Sequence, residues 1–229
     1  MIATLVGLTL FFLALHFAFA KFTQAPSDLA FRLARGAVSV LLTVIGFFAM
    51  IHYRAAARFI YVLDEPDKLA LWLALVPVGH FLGDFMFLAY RAIVASDKPR
   101  KDLIVHHMLG LTCAAATFSY PIAGPEFLFV HTSELMPVTT GLSALGSYRR
   151  SPSLVRVGAR LRLGTLLGWR VPVWIWMSVQ MVVSIKLLNP SPQVEATYPY
   201  TAVFLLMILS LDMFWITQSV RTLRRMRAA

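Results

Sequence analysis

Apolar residues in this chain come in long blocks separated by short polar stretches. The first block covers residues 2–20, and others follow at about 36–53, 69–90, 102–120, 126–148, 165–188 and 198–220. Each is close to the length of about 20 apolar residues that a helix needs to cross a bilayer. The pattern predicts an all-α, polytopic membrane protein with seven transmembrane helices. A polar, amphipathic linker, 21–35, separates the first two blocks and carries Lys21, Arg32 and Arg35. Pro121, Gly124 and Pro125 mark a short turn between the fourth and fifth. Ala18-Phe19-Ala20 has the small-x-small form of a signal cleavage site. No basic residue precedes the long apolar core, so the first block reads as a retained helix.

Composition agrees with this class. Hydrophobic residues make up 59% of the chain, charged residues 14%, and the mean hydropathy is +0.71. A soluble domain of this size has no use for so much apolar surface. The net charge of +10 would suit nucleic acid, but its distribution points to membrane topology instead. Sixteen basic residues fall in the 1–2, 3–4 and 5–6 loops and the tail, against four in the remaining loops. By the positive-inside bias, the amino terminus is outside or lumenal and the carboxyl terminus cytoplasmic. The expected membrane is the endoplasmic reticulum or plasma membrane in a eukaryote, and the inner membrane in a bacterium. Nucleic acid is not an expected partner. Cys113, the single cysteine, rules out an intramolecular disulfide framework.

With orientation assigned, sequence positions become depths. At a rise of 1.5 Å per residue, His106 and His107 lie roughly 7 Å in from the cytoplasmic end of helix four. Asp84 lies roughly 10 Å in on helix three, Arg170 roughly 8 Å in on helix six and Asp212 roughly 13 Å in on helix seven. His80 and Glu134 lie deeper. Ionisable groups at such depths are expensive unless they face a protein interior or a watered cavity. Their faces should therefore converge on a polar, cytoplasm-facing cavity. His80 and Asp84, four apart, share a helix face, as do His131 and Glu134, three apart. Asp102, His106 and Cys113 share a stripe of helix four. His107 is turned about 100° from His106, so the two cannot present identically: one could react while the other orients it. His16, His52 and His131, near helix ends, are expected to face the interface.

Four runs carry a family resemblance: Gly79-His80-Phe81-Leu82-Gly83-Asp84, Val105-His106-His107-Met108-Leu109, Ser133-Glu134-Leu135-Met136-Pro137 and Leu211-Asp212-Met213-Phe214-Trp215. Together they resemble the TLC domain, the family of the ceramide synthases and of many small TLC-domain proteins. The resemblance spans residues 36–220 as a six-helix bundle around a polar cavity. It leaves 1–35 as an added N-terminal helix with its linker and 221–229 as a basic cytoplasmic tail. His80 stands where the small-protein branch shows a tyrosine, and Asp212 where an asparagine is common. The ceramide synthases' H-D-x-x-D element is replaced by His131-Thr132-Ser133-Glu134, so the chain is nearer the small branch. The resemblance implies lipid metabolism, with acyl transfer from acyl-CoA as the leading reaction.

The residues support such chemistry independently. An imidazole can take a proton from a lipid hydroxyl or amine near neutral pH, or attack an ester or thioester and carry the acyl group. His106, His107, Asp84 and Glu134 are the catalytic candidates, with either carboxylate orienting a ring. His80, Arg170 and Asp212 are the substrate-binding candidates, Arg170 because a guanidinium can hold a carboxylate or phosphate bidentately. Arg170 and Asp212 could equally brace each other. The expected partners are membrane lipids and acyl-CoA as a substrate, with no resident metal or cofactor. Two rival readings stand beside this one. A non-catalytic lipid-binding regulator of membrane composition would need the cavity without the reactivity. A metal-dependent hydrolase would use His106, His107, Asp84 and Glu134 as ligands.

Overall fold

The computed structural model describes residues 1–55, 62–63, 65–94, 101–187 and 192–228. Arg58, Lys98 and Arg100, three of the loop basic residues counted in the topology assignment, lie outside them, as does Asp64. The described elements are helical: α1 (Ile2–Thr23), α2 (Ser27–His52), α3 (Lys68–Ile93), α4 (Lys101–Ser119), α5 (Gly124–Val130), α6 (Met136–Tyr148), α7 (Pro152–Thr165), α8 (Val171–Leu187), α9 (Pro192–Glu195) and α10 (Tyr198–Ala228). Among the described residues, five helical spans are long and apolar enough to cross a membrane: Ile2–Thr23, Ser27–His52, Lys68–Ile93, Pro152–Val183 and Tyr198–Met226. Large apolar side chains such as Val44, Ile51, Trp72, Val179 and Leu206 stand exposed on the outer surface, as bilayer-facing positions do.

Three boundaries depart from the sequence reading. Residues 27–35, expected as linker, are the first turns of α2. Asp28 and Arg32, four apart, pair at 2.6 Å on that helix, and the true connector is 24–26, entered through a left-handed Gln24 (φ 46°). The arginine-rich stretch expected as a loop before residue 165 is mostly α7, started by Pro152 in its first turn, where a missing N–H costs nothing. A π-helical turn, Leu166–Arg170, carries α7 into α8. The fifth apolar block, expected as one helix over 126–148, is divided into α5 and α6 by a 3₁₀ turn, His131–Ser133.

Glycines set the tightest contacts. Gly79 and Gly83, four apart, let α1 lie directly on α3. A Cβ at Gly79 would come within 2.7 Å of Leu8 Cβ, and one at Gly83 within 3.1 Å of the Leu13 backbone nitrogen. This small-x-x-x-small spacing is a recurrent device for bringing membrane helices together. Gly46 on α2 faces the 3₁₀ turn, where a Cβ would sit 2.4 Å from the Thr132 nitrogen. Gly146 and Gly158 close α6 on α7, their added Cβ atoms falling 2.7 Å from the Val155 nitrogen and 2.8 Å from the Ser143 nitrogen.

The interior is divided along its length. Toward the end where α2 finishes and α3 begins, the core is apolar. One cluster holds Ala49, Val78, Phe81, Phe127 and Leu128, and another holds Phe129, Trp174, Met177 and Ile208. Most charged interior residues, Arg35, Asp84, Glu134, Arg170 and Asp212 among them, lie in the other half, toward the 24–26 and 149–151 connectors; Glu126, near the start of α5, lies at the apolar end.

Candidate functional site

Asp84 is the hub of one buried cluster. It is fully buried, and side chains from four helices converge on it. His16 Nε2 donates to Oδ1 at 2.6 Å and Arg35 Nε donates to Oδ2 at 2.7 Å. His107 Nε2 lies 3.0 Å from Oδ2, and His80 Nδ1 lies 3.5 Å from Oδ1. A carboxylate in this position is affordable only when paired and hydrogen-bonded. The close α1–α3 contact at Gly79 and Gly83 is what puts His16 within reach. His16 is therefore an interior residue with no exposed surface, against the expectation that it faces the interface. His131 departs from that expectation too: it is buried, and its Nδ1 donates to the Phe127 carbonyl at 2.7 Å. His52 is exposed and stacks on Phe48.

A second cluster is built at the break between α5 and α6. Pro137 in the first turn of α6 has no N–H for the Ser133 carbonyl four residues back, and its ring crowds that oxygen. The freed carbonyl instead accepts from Arg170 Nη1 at 3.1 Å. Arg170 is buried, reaching inward from the end of the π-helical turn, a type of distortion that recurs at functional positions. Its Nε donates to both Asp212 oxygens at 2.8 and 3.0 Å, and Trp174 Nε1 donates to Asp212 Oδ2 at 2.8 Å. The Arg170–Asp212 pair is thus a brace between the π-helical turn and α10.

Glu134 ends the 3₁₀ turn with Oε1 3.6 Å from Arg170 Nη1 and 3.8 Å from His106 Nε2. The His106 ring meets the edge of Trp215, whose Nε1 donates to Asp102 at 3.2 Å. Arg170 Nη2 and His106 Nδ1, like several buried atoms of the Asp84 cluster, have no hydrogen-bond partner among the described residues.

The two histidines therefore belong to different clusters. Their ring centroids are 5.4 Å apart, but His107 faces Asp84 and His106 faces Glu134. A cavity of about 500 Å³ lies between α4, α5 and α10, with exposed Val105, Met108, Val203 and Met207 at its mouth. Leu109, Cys113, Phe127, Val130 and Phe204 line both this cavity and a narrow space of about 20 Å³ that reaches His106, Glu134 and Arg170. A second narrow space continues past the same three residues to Arg35, Asp102 and Arg162. His106 thus stands between an apolar chamber and a charged recess. Asp84, His80 and His107 line none of these spaces.

Among the described residues, no group of three or more His, Cys, Asp or Glu side chains is arranged to hold a metal ion. At Asp84, where three imidazoles gather, the Arg35 guanidinium takes up Oδ2. The sequence reading missed Arg35 and His16 as interior residues. The signal for Arg35 was its place three residues after Arg32 and directly before an apolar run. It also missed Trp215 and Glu126. No family model, curated protein or solved structure matches the chain.

Proposed function

We propose that this is a seven-span membrane protein of lipid metabolism with a TLC-type six-helix bundle, α1 being packed against it as the additional helix. In this reading α4 and the broken α5–α6 unit supply the two spans beyond the five that qualify by length and apolarity. The bundle handles fatty acyl groups, and the leading reaction is acyl transfer at His106. One observation carries the reading: His106 stands with Glu134 and Arg170 where an apolar cavity, open at the side of the bundle, meets a charged recess. An acyl chain fits the first environment, and the polar end of a thioester or ester fits the second.

The chemistry follows from the atoms at hand. With Glu134 accepting from Nε2–H, the free lone pair of His106 lies on Nδ1. The present 3.8 Å separation is longer than a hydrogen bond, as is common before substrate tightens a site. Nδ1 attacks the acyl carbonyl, a C–N bond forms, and the C–S or C–O bond breaks as the leaving group departs with the proton that Nε2 gives up through Glu134. An acceptor hydroxyl or amine then attacks the acyl-imidazole, breaking the C–N bond, and its proton returns through Glu134 to Nε2. Arg170 Nη2 is placed to stabilise developing negative charge on the carbonyl oxygen. His107 and Asp84 act at one remove, as the buried support that fixes the start of α4.

A second reading draws on the narrowness of the space at His106: the chamber alone can serve a lipid-binding regulator with no turnover. Lipid profiles of cells expressing wild type, His106→Ala and His107→Ala separate the two. Acyl transfer predicts a lipid class changed by wild type and restored by His106→Ala. A class changed equally by wild type and a well-expressed His106→Ala supports the regulator.

A further inference from the structure

The apolar chamber has a polar end that the reaction does not use. Glu126 lies in its wall, 8% exposed, at the opposite end of α5 from the 3₁₀ turn that leads to Glu134. Its carboxylate accepts one hydrogen bond, from Thr201 Oγ1 at 3.3 Å. No lysine, arginine or histidine among the described residues pairs with it. As the third residue of α5 it could have capped that helix, but no backbone N–H of the first turn bonds to it among the described residues. A carboxyl group left this poorly satisfied in an apolar wall is costly, and it opens onto a space large enough for a ligand. The other polar groups of the lining, the hydroxyls of Thr112, Thr117, Tyr120, Thr197 and Tyr200 and the Cys113 thiol, are neutral, and the remaining residues toward Leu109 are apolar.

We propose that Glu126 and Thr201 form a second recognition site, remote from His106, which takes a hydroxyl group carried on an otherwise apolar chain. The hydroxyl donates to Glu126 and accepts from Thr201, replacing the long bond between them, while the chain lies along α4 and α10. The site would select hydroxylated chains over plain ones. A hydroxyl can both donate to Glu126 and accept from Thr201 Oγ1, whereas an ammonium group, a donor only, leaves the Thr201 hydroxyl without an acceptor. The inference needs the chamber but not the reactivity of His106.

The test uses the purified full chain in lipid nanodiscs and three photoactivatable probes. These are dodecyl chains with a mid-chain diazirine ending in a hydroxyl, a methyl or an amine, and labelling of α4 and α10 peptides is read by mass spectrometry. Wild type should label with the hydroxyl probe about tenfold more than with the methyl probe, the ratio expected of one hydrogen bond to a carboxylate. Glu126→Leu should bring that ratio close to one. Should Glu126→Leu not give monodisperse protein, Glu126→Gln combined with Thr201→Val, close in volume to the native pair, should lower it severalfold. Equal labelling in wild type, or a ratio unchanged by these substitutions, would overturn the site. Preference for the amine probe would overturn the hydroxyl assignment. No turnover is read, so failure here leaves the acyl-transfer reading standing.

Discussion

His106 and His107 are adjacent in the chain and answer to different carboxylates: His107 Nε2 lies 3.0 Å from Asp84, and His106 Nε2 lies 3.8 Å from Glu134. Their separation follows from the helix itself, which turns about 100° per residue. The two should therefore fail differently when changed. His107→Ala removes a support from a fully buried carboxylate and should lower the thermal midpoint of the detergent-solubilised protein. His106→Ala, at a cavity wall, should leave that midpoint within a degree or two of wild type. Equal midpoint losses would mean that both rings are braces.

Asp84→Asn removes the charge that compensates Arg35 and leaves that guanidinium buried with a neutral partner. Loss of one member of a buried pair typically costs about 3–5 kcal/mol. The expected outcome is a large drop in yield and unfolding midpoint. A double change, Asp84→Asn with Arg35→Met, should recover part of the loss because no unpaired charge remains. Recovery is measured against each single variant in the same detergent.

Gly46→Ala tests how Glu134 is held in place. The added methyl would sit 2.4 Å from the Thr132 nitrogen and 2.7 Å from the His131 carbonyl carbon. Both are backbone atoms of the turn that ends at Glu134, so the turn must move. Overpacking of this kind costs about 1–3 kcal/mol, and turnover should fall by more than the stability loss alone explains. Glycine-to-alanine at Gly164, where the added Cβ meets nothing within 4 Å, is the control and should be near neutral.

Asp67 caps α3 from outside the membrane span, accepting from the Ala70 N–H and the Tyr53 hydroxyl, each at 2.7 Å. Burial alone would raise its pKa, but these hydrogen bonds outweigh it and hold the carboxyl below its usual range. A folded-state pKa below the unfolded one stabilises the protein above the unfolded value and loses that effect as pH falls through the folded value. Asp67→Ala should cost about 1 kcal/mol at neutral pH. The gap to wild type should narrow as pH falls below the ordinary carboxylate range. Unfolding midpoints of both proteins across that range check the sign.

Much of this architecture is legible in the chain because hydropathy is a strong local signal: α1, α3 and α4 each coincide with an apolar block, whereas α10 starts with one and continues to Ala228 through the arginines expected as a tail. Their polar residues also had to go inward, since lipid offers His80, Asp84 or Asp212 no partner. Breaks were harder to see. Pro137 sits inside an apolar run, and whether a proline kinks or divides a helix depends on what satisfies the freed carbonyl. Here that is Arg170, from a helix 33 positions later in the chain. Arg35 was hidden for a different reason. A basic residue at the edge of an apolar block reads as a topology signal, and only its partner, Asp84 on another helix, shows that it is interior. Shared cost in lipid predicts that the ionisable groups converge on one cavity, but Asp84, His80 and His107 line none of the spaces that reach His106, Glu134 and Arg170. The division of the histidine pair between two clusters required the helix packing.

In the proposed mechanism His106 reacts and His107 supports it. The decisive measurement is acyl turnover per monodisperse molecule, with a mass-spectrometric search for an acyl adduct on α4. His106→Ala should show no turnover and no adduct. His107→Gln should keep residual turnover with the adduct still on His106, and Glu134→Gln should turn over slowly, base and orienting effects of this kind being worth about 10²–10⁴-fold. Full specific activity in His106→Ala, or an adduct on His107, would rule this mechanism out.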